Sequence, residues 1–249
     1  MPFSPSTIFD IAVFEADDIA GNDGDAISTW THQSGSISAD MTQSGTAQPL
    51  LKKGANGLNS KNVVLFDGVN DFLDFGDVAE LDFGTNPFSI FIVMNATTVG
   101  GAKGILTKDD TTGAANGLYI YYDSSNIVQY YNGTVQMAAG TVSSTYHMIG
   151  FTRSGTGAGG LIPYFDGTAQ TAGTEPRTLS NATTASLGRF TDGLFIGGNI
   201  AALYIGSSVP SDANRNAFGD YIQTKYGLTI AGAAPLASGR VTNIYMLGG

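Results

Sequence analysis

The sequence contains no cysteine. A disulfide framework, a thiolate metal site and a cysteine nucleophile are excluded together. Basic residues are scarce, 11 Lys+Arg against 21 Asp+Glu, for a formal net charge of −10. A surface of that sign gains nothing from counterion release on nucleic acid and is repelled by anionic lipid. Neither a nucleic-acid partner nor membrane insertion is expected, and no stretch approaches the ~18 apolar residues that mark a membrane span. Residues 1–18 (MPFSPSTIFDIAVFEADD) lack a basic segment followed by an unbroken apolar run. No export signal is read there, and synthesis in a cytoplasm is expected. No Gly-x-Ser-x-Gly elbow, Walker-type loop or His-Glu-x-x-His pair occurs, so nucleophilic, phosphoryl-transfer and zinc mechanisms have no visible support.

Hydrophobic residues make up 42% of the 249, charged residues only 13%, and glycine is abundant at 34. A sizeable core joined by many tight turns fits these figures. The dominant hydrophobic period is two, the strand period. In 87–96 (PFSIFIVMNA), Phe88, Ile90, Ile92 and Met94 share one face while Phe91 and Val93 add bulk to the other. This predicts a strand buried on both sides near the centre of a sheet. Strands follow at 117–123, 127–137, 146–153 and 161–170, with hairpin signals at Asn132-Gly133 and Asp166-Gly167. Residues 194–206 read as a bent strand with a Gly-Gly kink. Successive strands with little between them predict an antiparallel sandwich rather than βαβ units.

One helix is predicted over 211–227, capped by Ser211 or Asp212 and stopped by Gly227. Its stripe of Ala217, Phe218, Tyr221, Ile222 and Lys225 is expected against the sandwich edge. The domain is expected to occupy 1–228. Residues 229–249 then read as a linker and an apolar terminal strand, available to its own sheet or to a partner in assembly.

The ordered elements DGDAISTWTHQSG (23–35), FDGVNDFLDFG (66–76), FSIFIVMN (88–95), YHMIGFTR (146–153), YFDGT (164–168) and GNIAALYIGSSVPSDANRNAFGDYIQTKYGL (198–228) carry a resemblance. The chain resembles the concanavalin A-like lectin/glucanase superfamily, specifically the laminin-G-like domains of the bacterial and phage type. The resemblance implies an all-β, antiparallel two-sheet jelly-roll β-sandwich with one helix toward the C-terminus. It also implies a structural core position for Trp30. It implies no single activity, because lectins, glycosidases, adhesion modules and virion proteins share this fold.

Retaining glycosidases of that superfamily carry Glu-x-Asp-x-x-Glu on one strand, so that two carboxylates serve the reaction from one side. Here Glu15, Glu80 and Glu175 are the only glutamates and all are isolated. Aspartates alone could do that work, and 71–77 (DFLDFGD) puts Asp71 and Asp77 on a strand-like segment, but no catalytic role is expected for the chain. His147 is expected in a hydrogen-bonded strand position. Calcium is the metal to consider, because hard cations take loop oxygens. Asp67, Asn70, Asp71 and Asp74 cluster closely, and 15–25 (EADDIAGNDGD) is a second acidic loop, but neither has EF-hand spacing. The competing reading of Asp67-Gly68 is a turn whose aspartate accepts backbone hydrogen bonds. Asp109-Asp110 reads as a solvated loop.

A sugar site needs aromatic faces beside amides and carboxylates. Tyr119, Tyr121, Tyr122, Tyr131, Asp123 and Asn126 form such a set in 119–133, with Tyr119 and Tyr121 on one face and Tyr122 on the other. The competing reading is a tyrosine-rich hairpin packed into a core or a subunit contact. Two functions fit these features. One is a structural protein of a bacteriophage particle, an exposed capsid-decoration or fibre-type module that contacts other virion proteins or itself as a homo-oligomer. The other is a lectin-like module of a bacterial surface protein, binding cell-surface glycans.

Overall fold

A computed structural model describes residues 3–98, 100–108, 117–131, 136–190 and 193–234. Two eight-stranded antiparallel sheets face each other. The first runs Thr168–Ala169, Leu161–Phe165, His147–Arg153, Phe88–Ala96, Gly197–Gly206, Val63–Asp67, Leu50–Lys52. Its central strand Gly197–Gly206 meets Val63–Asp67 along one half and Ala12–Glu15 along the other. The second sheet runs Gln136–Thr141, Ile127–Tyr131, Leu118–Tyr122, Lys103–Lys108, Ala185–Leu187, Leu73–Gly76, Met41–Thr42, Thr29–Trp30. The fold is the expected jelly-roll sandwich.

Strand Phe88–Ala96 is buried at every position. Phe88, Ile90, Ile92 and Met94 enter the core between the sheets, where Trp30 is also fully buried against Phe14. Phe91 and Val93 point the other way, into a second apolar cluster. That cluster lies beneath the helix Asp212–Tyr226, the one α-helix among the described residues. Ser211 caps it by accepting from the Asn214 amide, and Gly227 ends it at φ 71. The helix is not at the sandwich edge, as its stripe suggested. Phe218 sits 4.8 Å from Phe9, 4.9 Å from Tyr204 and 5.4 Å from Phe91, over the middle of the first sheet. The sheet's second apolar face demands that cover, since burying one Phe contributes about 1.5–3 kcal/mol. The helix closes one outer face of the sandwich.

Glu15 fastens the helix to the sheet. Its Oε1 accepts from the Tyr204 and Tyr221 hydroxyls, each at 2.7 Å, and its Oε2 lies 2.6 Å from Lys225 Nζ. The chain after the helix continues onto the same face: Ile230 is buried and the Ala231 amide donates to the Asp166 carbonyl at 2.8 Å. The terminal strand expected at 241–249 lies outside the described residues.

The segment FDGVNDFLDFG crosses from one sheet to the other, with Val63–Asp67 in the first and Leu73–Gly76 in the second. Phe66 and Phe75 enter the core on either side of the corner. Phe72 stays on the outside of the second sheet, against Phe195 at 6.1 Å. Strands Leu161–Phe165 and Thr168–Ala169 form the expected hairpin about Asp166-Gly167. The stretch 127–137 divides into the paired strands Ile127–Tyr131 and Gln136–Thr141, and the Asn132-Gly133 turn and Asp109-Asp110 lie outside the described residues. The bent strand read over 194–206 is two elements. Leu194–Phe195 pairs with Arg189–Phe190 in a small separate hairpin, and Gly197–Gly206 alone joins the sheet, with a register shift between Ile200 and Ala202.

Candidate functional site

With one outer face closed by the helix, the outer face of the second sheet is the open ground. Alternation decides which side chains reach it. Leu118, Ile120, Tyr122, Val128 and Tyr130 go to the core. Tyr119, Tyr121, Gln129 and Tyr131 therefore go outward. The register pairs Gln129 with Tyr121, and Tyr121 with Gly104, so these three form one cross-strand row on that face.

Gly104 explains what crosses the row. A Cβ there would stand 2.3 Å from Arg189 C and O and from Phe190 N. Only a residue without a side chain lets the Arg189–Phe190 strand lie directly on Lys103–Lys108. Thr107 Oγ1 donates to the Arg189 carbonyl at 3.0 Å and fixes the crossing. Phe190 then lies 5.2 Å from Tyr119 and 6.1 Å from Tyr121, while Tyr131 meets Tyr119 edge-on at 5.9 Å. Together with Ala102 and Gln136 these rings line a pocket of 280 Å³. The Gln136 amide donates to the Tyr121 hydroxyl. Burial raises the Tyr121 pKa, so the hydroxyl stays neutral and keeps both donor and acceptor capacity.

Arg189 reaches along the face from the other side of the hairpin. Its Nη2 lies 3.1 and 3.2 Å from the two Asp74 carboxylate oxygens, and its Nε donates to Ser186 Oγ at 3.0 Å. Its guanidinium carbon stands 3.9 Å above the Phe72 ring. Behind the pocket, in the core, Arg177 forks onto Glu175 at 2.8 and 2.6 Å.

The sequence-predicted sugar set is only partly assembled. Tyr119, Tyr121 and Tyr131 converge, but Tyr119 is 1% exposed and forms the floor rather than an open stacking face. Tyr122 is a correction: it is fully buried and donates to the Thr98 carbonyl at 3.0 Å. Asp123 Oδ1 accepts the Ser125 and Ile127 amides at 2.8 and 3.1 Å, and its Oδ2 accepts from Gln129 at the margin of the face. Asn126 takes φ 63 in the same turn and accepts the Gly100 amide, so its work there is conformational. Phe190, Arg189, Gln129 and Gln136 join the site beyond the residues expected from the sequence. The period-two pattern of 127–131 carries the signal for Gln129; nothing local carries it for the hairpin residues.

At the corner, the amides of Val69, Asn70 and Asp71 donate to Asp67 Oδ1 at 2.8, 3.1 and 3.3 Å. The Asp67 amide donates in return to Asp71 Oδ2 at 2.9 Å. Asn70 Nδ2 donates to the Thr46 carbonyl at 3.1 Å, and Asp74 belongs to Arg189. The turn reading thus describes these bonds, and no group of three or more His, Cys, Asp or Glu able to hold a metal ion forms among the described residues. In the acidic loop, Asp23 accepts the Lys53 amide and Asp25 the Asn22 amide. Asp77 accepts from Lys108 Nζ at 2.9 Å. His147 Nδ1 lies 2.8 Å from Asp166 Oδ2, the strand position expected for it.

No family model matches the chain and no curated protein matches its sequence. Solved structures do match in fold. The Trypanosoma rangeli sialidase in complex with sialic acid aligns over 86% of this chain with a TM-score of 0.58 and 12% identity. The chain spans only 33% of that sialidase. The binding domain of Paraclostridial Mosquitocidal Protein 1 aligns over 88% of this chain and 53% of its own length, with a TM-score of 0.64 and 10% identity. Domain 4 of AbnA, an extracellular arabinanase from Geobacillus stearothermophilus in complex with arabinotriose, aligns over 82% of this chain and 95% of its own length, with a TM-score of 0.52 and 13% identity. These likenesses are of fold.

Proposed function

We propose that the chain is a non-catalytic glycan-binding module whose site is the outer face of the second sheet. The carrying observation is the 280 Å³ pocket of Tyr119, Tyr121, Tyr131, Phe190 and Gln136 on the face that the helix leaves open. Rings supply apolar faces for sugar C–H groups, while the Gln136 amide and Tyr121 hydroxyl supply the few oriented polar groups a small-molecule site uses. The arabinotriose held by AbnA domain 4, which has nearly the same extent as this chain, supports the reading. Asp123 is a carboxylate whose charge bears on Tyr121. It is held by two amides and Gln129, and no carboxylate lines the pocket among the described residues, so the paired carboxylates of a glycosidase are not seen there. The same face would serve a bacterial surface protein or an exposed protein of a phage particle. Capsid or tail genes beside this one would decide for the particle.

A glycan array followed by titration calorimetry tests the function. Tyr121→Ala and Phe190→Ala should each weaken a positive signal by about tenfold, the loss of one aromatic contact. Tyr122→Phe, altered inside the core, should leave binding unchanged. A blank array for the folded wild-type protein sinks the proposal.

A further inference from the structure

We infer that the glycan taken by this face is electrically neutral; the inference rests on the glycan-binding reading. An acidic sugar, a sialic or uronic acid, presents a carboxylate that is recognised by an uncommitted cation, most often an Arg fork. Among the described residues, five basic side chains belong to this sheet, lie on it or lie behind it, and each is otherwise engaged or directed. Arg153 is fully buried and donates to the Asn86 and Gly84 carbonyls at 2.6 and 2.8 Å. Among the described residues Arg189 is the only one on the face itself, and its charge is met by both oxygens of Asp74 at 3.1 and 3.2 Å. Arg177 is buried and forked onto Glu175. Lys108 is buried, with its Nζ at 2.9 Å from Asp77, 2.8 Å from Asp82 and 2.6 Å from the Asn181 carbonyl. Lys103 is next in sequence to the pocket residue Ala102, but it pairs in register with Tyr122, whose side chain goes to the core side. Directly paired residues share a face, so Lys103 turns away from the rings.

The balance of charge around the pocket points the same way. Burial raises the pKa of the Tyr121 phenol, and the negative charge of Asp123 adds to that shift. The segments joining the platform strands, 109–116, 132–135 and 191–192, contain Asp109, Asp110 and Asp192 and no lysine or arginine. With a formal charge of −10 on the whole chain, an anionic ligand meets repulsion on approach, and no uncommitted cation on the face among the described residues. A neutral oligosaccharide meets neither.

The experiment measures the full chain against paired probes: neutral oligosaccharides and the same oligosaccharides bearing a terminal sialic acid or a uronic acid. The expected result is at least about tenfold weaker binding of each acidic member, with neutral binding unchanged between about 50 mM and about 500 mM salt, since no ion pair is screened. Asp74→Asn, which releases Arg189, should narrow the neutral-to-acidic ratio. Preference for the acidic members overturns the inference and leaves the glycan-binding reading standing. An unchanged ratio in Asp74→Asn overturns the part given to Arg189. Binding of neither member fails the functional reading, and the inference with it.

Discussion

Arg177 Nη2 donates to the backbone carbonyl of Tyr131 at 2.8 Å while its fork holds the fully buried Glu175. A core ion pair thereby sets the position of a residue on the rim of the proposed site, and the two roles can be separated by mutation.

Arg177→Met leaves the Glu175 carboxylate buried without its partner, which should cost about 3–5 kcal/mol of stability in a urea titration. The double variant Glu175→Met, Arg177→Met should recover most of that loss, because apolar replacements of a buried pair are often neutral. The Tyr131 carbonyl still lacks its donor in the double variant. Glycan affinity should therefore stay low while stability returns.

Gly104→Ala should leave the sandwich folded, by far-ultraviolet circular dichroism, and abolish sugar binding. The added Cβ collides with backbone at 2.3 Å, so the Arg189–Phe190 strand must lift and carry Phe190 off the pocket. The accompanying loss of stability should be about 1–3 kcal/mol, the usual cost of overpacking.

Asp71 gives a pH signature of opposite sign to a salt-bridged carboxylate. Burial, helped by the Asp67 charge and opposed by the Asp67 amide, pushes its pKa up from 3.8 to about 6. The folded state therefore holds this proton to higher pH than the unfolded state does. The contribution of Asp71 is most favourable below pH 3.8 and is lost as pH rises through about 6. Thermal melts of Asp71→Asn and wild type should coincide more closely at the acid end. Above pH 6 the variant should melt higher; a variant that melts lower at every pH refutes the assignment.

Glu15→Ala strands Lys225 and the buried Tyr204 hydroxyl together. It should cost about 3 kcal/mol, read by chemical denaturation. Glu15→Gln keeps an acceptor for a tyrosine and should lose less.

Much of the fold could be read directly. The run PFSIFIVMNA showed apolar residues on both faces, and a helix with matched cap signals was available to cover one of them. Its position was not readable, because a stripe says which residues are covered and not by what. Tyr119 and Tyr121 were correctly set apart from Tyr122 by alternation alone. The pocket's other half was hidden for a physical reason. Phe190 and Arg189 come from a two-residue strand with too few positions to show a period, placed by a glycine 85 positions earlier in the chain. Glu15 and Lys225, 210 residues apart, are likewise joined only by the fold. The phenylalanines of FDGVNDFLDFG looked alike in sequence, yet the corner sends Phe66 and Phe75 inward and leaves Phe72 under a guanidinium.

The strand Gly197–Gly206 is the last in chain order of the described strands of the first sheet. Its ladder partners include Ile92 opposite Leu203, Asp67 opposite Gly197 and Ala12 opposite Ile205. Until that strand leaves the ribosome, the sheet has no middle and Phe88–Ala96 has neither its neighbour on that side nor its covering helix. Closing such distant pairs is slow, and an apolar strand waiting with both faces bare is prone to associate with other chains. Yield on expression should then depend more on how long the nascent chain is shielded than on the stability of the finished sandwich.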